Sequence, residues 1–257
     1  MPFRRAHWAL LLLAPVIALA FWPQYFGTLG SASFAFHAHG ITATVWLAFV
    51  GLQSLSATAR DRRVHRLSGR AVFVFVPLFA AAAVLVMHSM AIKFATQSHP
   101  FYAALGARLA LHDLVSTIAL VSFVSAALVF RRKVAVHAGC MLATVLLVLP
   151  PVIARLPIPR FFHSGELIVI ALALLILWRE PRARTPFLAL IGVQILVIIL
   201  FETLGVSPGW DGVVTAFSKL PVAPFSLGAG LLALGALLLA WSRAPSRTTT
   251  ARPAPVG

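Results

Sequence analysis

Cysteine occurs once in this 257-residue chain, and acidic residues number six. Cys140 stands alone inside an apolar run, which excludes a disulfide framework and a C-x-x-C metal or redox pair. The missing C-x-x-C-H also excludes covalent c-type haem attachment. A lone thiol in such a run reads as a small core residue. Charge of either sign is scarce too. Charged residues make up 11% of the chain, against about 25% in a soluble domain, and no polar stretch is longer than a loop. A separate soluble domain is therefore excluded. No Walker-type loop, no Gly-x-Ser-x-Gly elbow and no H-E-x-x-H is present.

What is abundant is apolar sequence: 60% of residues, with a mean hydropathy of +0.95. The expected fold is all-α, a polytopic membrane helical bundle in one domain over residues 1–242, with a disordered tail over 243–257 rich in Arg, Pro and Thr. Eight transmembrane runs are read: Trp8 to Trp22, Gly40 to Ala59, Ala71 to Ile92, Leu105 to Phe130, Val134 to Ala154, Leu167 to Trp178 (lengthened from near Phe162), Phe187 to Leu204, and Phe225 to Trp241. The first resembles a signal peptide in its basic start and its Ala18-Leu19-Ala20; its bracketing tryptophans favour an uncleaved helix, and cleavage would leave seven. Pro77 predicts a kink in the third run. Ser226 to Gly235 is small enough for close helix approach, and the last three runs read as a packing layer.

The formal charge of +15 is carried in short arginine clusters between apolar runs, the pattern of the positive-inside rule. With the N-terminus inside, only Lys93, Arg108, Arg155, Arg160 and Lys219 of the 21 basic residues fall outside. The expected location is a bacterial cytoplasmic (inner) membrane, multi-pass, with both termini cytoplasmic and anionic headgroups as contacts. A nucleic-acid partner is excluded, since it would need the cations gathered on one face with aromatics interleaved.

Two stretches share one plan: Phe36 to Arg70 and Leu111 to Leu149 each run apolar segment, basic turn, Val-His, apolar segment. His39 and His65 are 26 positions apart, and His112 and His137 are 25 apart. This reads as a duplicated helical hairpin, the second and third helices repeated in the fourth and fifth, forming a four-helix core. It brings His39 near His112 at the outer surface and His65 near His137 at the inner one. Each pair offers two imidazoles from facing helices, which suits a bis-histidine haem. Arg108, one turn before His112, and Arg66 and Arg70, beside His65, are expected at the propionates. His37 and His39 are two steps apart and cannot share a helix face.

The arrangement resembles the two-haem b-type cytochrome superfamily over about Phe36 to Pro151, in layout and not in a signature motif. The resemblance implies haem b held by the second to fifth helices, electron transfer across the membrane, and a quinone or a redox protein as partner. FWPQYF, HAHGITATVWLAFVGLQ, VHRLSGR and HAGCMLATVLLVLPPVIAR also resemble predicted bacterial multi-pass membrane proteins of unknown function, over most of the first 160 residues.

Two other readings compete. His37, His39, His88, His112, His163 and Asp113, with Glu166, could hold zinc, copper or iron at the outer face, for a hydrolase or for metal handling. Alternatively the histidines only hydrogen-bond, in a membrane scaffold or assembly subunit. A relay of carboxylates finds little support at this stage, since only Asp113 reads as lying inside a span and Glu202 near the end of one. Gln53 and Gln194 read as interhelical hydrogen bonders.

Overall fold

The structure is a computed structural model and describes residues 3–157 and 161–243. Arg160 and the expected 243–257 tail lie outside the described residues, except Arg243, which ends the last helix. Among the described residues there is no strand. Eleven α-helices run in chain order: α1 (Ala6–Phe21), α2 (Phe34–Thr58), α3 (Arg62–Gly69), α4 (Val72–Ala95), α5 (Pro100–Val129), α6 (Val134–Leu146), α7 (Leu149–Ile153), α8 (Ser164–Arg179), α9 (Arg184–Glu202), α10 (Pro208–Phe217) and α11 (Val222–Arg243).

Among the described residues six segments are long and apolar enough to cross a membrane: Phe34–Thr58, Val72–Ala95, Pro100–Val129, Val134–Ile153, Pro181–Val206 and Val222–Arg243. The first and sixth runs of the sequence reading form α1 and α8, each 16 residues. At 1.5 Å per residue that is about 24 Å, less than the roughly 30 Å of a hydrocarbon core. Two helices were not foreseen. One is α3, which occupies the basic turn; the other is α10, between the last two long helices.

The packing centres on α4, which lies against α2, α5 and α11. Trp46, Val76, Val124, Phe187 and Leu237, from five helices, are buried together at its heart. Large apolar side chains elsewhere point away from the protein, Leu12, Trp178 and Leu232 among them. A surface this apolar is stable where the solvent is lipid. The last helices do more than form an outer layer, because α11 packs along both α4 and α5. The small-residue stretch behaves as its composition predicts. A Cβ on Gly230 would come within 3.2 Å of the Pro77 carbonyl, and Ser226 Oγ donates to Ala81 O at 3.0 Å.

Proline has two outcomes. Pro77 sits in the second turn of α4, which continues through it as one helix. Pro150 and Pro151 instead stand where the fifth span breaks into α6 and α7. Two successive residues without an N–H leave the carbonyls of Leu146 and Leu147 with no donor four residues on, so the α-helix cannot pass. The two hairpins of the expected duplication therefore differ: α2 and α4 are joined through α3, while α5 turns directly into the broken α6–α7. Where α2 meets α6, Trp46 Nε1 donates to Thr144 Oγ1 at 3.2 Å, and both side chains are wholly buried.

A buried chain of carboxylates and imidazoles

Helices α5, α8 and α9 meet at the end of the bundle away from the arginine clusters, and half of the chain's six acids are there: Asp113, Glu166 and Glu202. His112 in α5 lies between two of them, with Nδ1 at 3.4 Å from Asp113 Oδ1 and Nε2 at 3.5 Å from Glu166 Oε1. Glu166 turns its other oxygen to His163, Oε2 at 3.8 Å from Nδ1. His163 Nε2 is 2.8 Å from Glu202 Oε1, and Glu202 Oε2 is 3.8 Å from the Arg108 guanidinium. The succession Asp113, His112, Glu166, His163, Glu202, Arg108 is unbroken. Burial peaks in the middle: the side chains of His112, Glu166 and His163 are 11%, 12% and 15% accessible, those of Asp113 and Glu202 at the two ends 30% and 47%.

Local structure sets each member. Arg108 and His112 are one turn apart on α5 and share its face, as the sequence indicates. Glu166 lies in the first turn of α8, beside the helix N-terminus, which favours a negative charge. His163 precedes that turn in the left-handed region, φ 59° and ψ 14°, a conformation that costs a non-glycine residue about 1 kcal/mol. Strain of this kind persists where the surroundings fix it. Here they do so through Glu166, Glu202 and an edge contact with the Phe201 ring at 5.3 Å. Phe201 also carries the Arg108 guanidinium over its face at 5.5 Å. Gly165 lets α8 close on α7, since a Cβ there would stand 2.6 Å from Pro150 Cα.

The other histidines of the expected outer site lie elsewhere. His39 is on α2, packed on the Phe79 ring at 5.2 Å, with Nδ1 buried and without a hydrogen-bond partner. Asp113, which touches His112, also acts electrostatically on His39, as does Arg155. His37 points another way, to Tyr25 Oη at 3.1 Å, as the helical step requires. His88 Nε2 is 3.0 Å from the Leu220 carbonyl and its ring meets Phe217. Among the described residues no group of three or more His, Cys, Asp or Glu side chains is arranged to hold a metal ion. Of the expected zinc, copper or iron set, His112, His163 and Asp113 come together with Glu166, while His37, His39 and His88 make other contacts. Arg108, expected at a propionate, is paired with Glu202.

At the opposite end His65 and His137 meet, ring centroids 6.3 Å apart and planes at 75°. His137 Nδ1 is 2.8 Å from the Ala127 carbonyl, so it carries the hydrogen and Nε2 keeps its lone pair. His65 Nδ1 faces the Gln53 amide. In one orientation of that amide, Gln53 donates to Nδ1 at 2.9 Å and accepts from the Gly69 N–H at 3.2 Å; in the other, it donates to Ser68 Oγ at 2.6 Å. Arg66 and Arg70 are close by on the solvent side of α3, and Arg66 Nε donates to the Arg62 carbonyl at 3.1 Å.

Glu166 was expected only as a companion of the outer metal set and Glu202 only near the end of a span, although a stronger signal was in the sequence. In a chain so poor in acids, a carboxylate three residues after a histidine and another closing an apolar run both warrant a functional reading. No family model, no curated protein and no solved structure matches this chain.

Proposed function

We propose that this is a proton-coupled integral membrane protein. In it, Glu202, His163, Glu166, His112 and Asp113 carry protons between two partly exposed carboxylates, Glu202 and Asp113, through a buried middle. The observation behind this reading is the alternating chain itself, with successive groups 2.8 to 3.8 Å apart and its middle members the most buried. Imidazole suits this task because it exchanges its proton in the physiological range and has one nitrogen to receive and another to release. Charge balance supplies the coupling. Three carboxylates stand against one guanidinium and two imidazoles, so the group is neutral when it holds two protons on these side chains, and a buried cluster resists departures from neutrality. A proton arriving at Glu202 therefore favours release at the Asp113 end. The test is a proton count on purified protein between about pH 8 and pH 5, compared with Glu166→Gln. A variant that takes up as many protons as the wild type removes this reading.

A separate observation favours a second reading, the b-type haem electron carrier, at the His65–His137 end alone. His137 has a free Nε2, the state of an axial ligand; where Gln53 donates to His65 Nδ1 at 2.9 Å, haem binding would require that amide to turn so that His65 also frees its Nε2. Metal–nitrogen bonds of about 2.0 Å on each side of one ion put two ring centroids roughly 6 Å apart, close to the 6.3 Å of this pair. His112 does not fit the same role, because both of its nitrogens face carboxylates. Haem held by His65 and His137 would supply one-electron chemistry, with Arg66 and Arg70 as the cations nearest its propionates. On this reading, protein expressed with haem supply shows a reduced-minus-oxidised b-type band at about one haem per chain. His137→Ala abolishes the band and His112→Ala leaves it. A colourless preparation rules the reading out.

A further inference from the structure

Helix α3 has an inward face made of His65, Ser68 and Gly69. The Ser68 hydroxyl meets Gln53 of α2, and a Cβ on Gly69 would lie 3.6 Å from the same amide. The outward side combines exposed apolar residues, Val64 and Leu67, with Arg62, Arg63, Arg66 and Arg70, all exposed. Asp61, the one acid in this segment, is occupied as the helix cap, accepting from the N–H groups of Arg63 and Val64 at 3.0 and 2.9 Å. The guanidinium groups of Arg62, Arg63 and Arg70 make no hydrogen bond or ion pair among the described residues. Other cations at this end are held differently: Arg131 lies over the Trp241 ring and Lys133 over Phe130.

From this we infer that α3 is an anionic-phospholipid site. Val64 and Leu67 enter the acyl boundary, and Arg62, Arg63 and Arg70 hold the headgroup phosphate. Three features support this occupant. The helix joins the ends of two spans, α2 and α4, and so lies at the level of the headgroups. Its outward face pairs apolar side chains with arginines, the composition of helices that lie in the membrane interface. Its charge is of one sign and complements an anionic leaflet. A soluble anion would satisfy the arginines and leave Val64 and Leu67 in water. This inference does not depend on the proton reading.

The experiment is thermal unfolding of the purified full chain in mild detergent. Dioleoyl-phosphatidylglycerol, dioleoyl-phosphatidylcholine or glycerol phosphate is added at equal concentration. Phosphatidylglycerol is expected to raise the midpoint by about 4 °C or more, and the other two are not. The triple variant Arg62→Gln, Arg63→Gln, Arg70→Gln should unfold at the wild-type midpoint in phosphatidylcholine and lose most of the phosphatidylglycerol shift. Arg182→Gln with Arg184→Gln, on the α8–α9 connection, should keep it. Equal shifts with phosphatidylcholine, a shift with glycerol phosphate alone, or a full shift in the triple variant would each overturn the inference.

Discussion

Glu166→Gln is expected to raise proton uptake between about pH 8 and pH 5 by up to roughly one proton per chain while the protein stays folded. An imidazole that the intact cluster keeps protonated throughout this range is left to titrate within it. Glutamine has nearly the same shape and can still bond to His112 and His163, so the packing between α5 and α8 survives. What it removes is the central negative charge. The remaining two carboxylates are balanced by Arg108 and a single protonated imidazole, so one proton fewer is held at neutrality. Unfolding should cost about 1–2 kcal/mol less than in the wild type, the scale of losing charge contacts to His112 and His163 at 3.5 and 3.8 Å. Glu202→Gln is the comparison. Its side chain is half exposed, so stability should change by less than about 1 kcal/mol. Both effects are read from potentiometric titration and thermal unfolding of the same preparations.

The second large effect is expected at Gly165. An added Cβ would meet Pro150 Cα at 2.6 Å, its carbonyl oxygen at 2.9 Å and its Cβ at 3.1 Å. The first two are backbone atoms of a proline-stiffened turn and cannot rotate away. Gly165→Ala is therefore expected to lose about 1–3 kcal/mol, as overpacked sites do. Its proton uptake should also change in the same direction as that of Glu166→Gln, because α8 must move away from α7 and takes Glu166 with it. Gly192→Ala is the control on α9, where a Cβ meets nothing within 4 Å and the higher helix propensity of alanine adds roughly 0.5–1 kcal/mol. Thermal unfolding of the two variants separates the cases. Equal midpoints would show that the α7–α8 approach is not tight.

The long apolar helices were legible because each is an almost uninterrupted run with arginines at one end. The approach of His65 to His137 was also legible, since both histidines follow a basic turn and the two turns fall at the same end. Less could be read where a residue's partner depends on packing. Glu166 begins a short helix, and its contact with His112 depends on Gly165 fitting over Pro150, a shape that no local pattern encodes. Glu202 looked like the end of a span until the folding of α9 against α8 brought it to His163. His88 and His37 looked equivalent to His112 because all lie toward one end of the chain's helices. Only their facing directions separate them, and these follow from where α10 and the turn after α1 pass. Helix α3 was read as a turn, since arginines mask the three- and four-residue spacing of His65, Ser68 and Gly69.

The measurement closest to the central claim is an infrared pH titration of the wild type, comparing the carboxyl region with the imidazole bands of ring-labelled histidine. The account predicts a carboxyl signal that titrates together with an imidazole signal, and loss of both linked changes in Glu166→Gln. A carboxyl signal that titrates unchanged in Glu166→Gln, with the histidines following it independently, would contradict a shared proton chain.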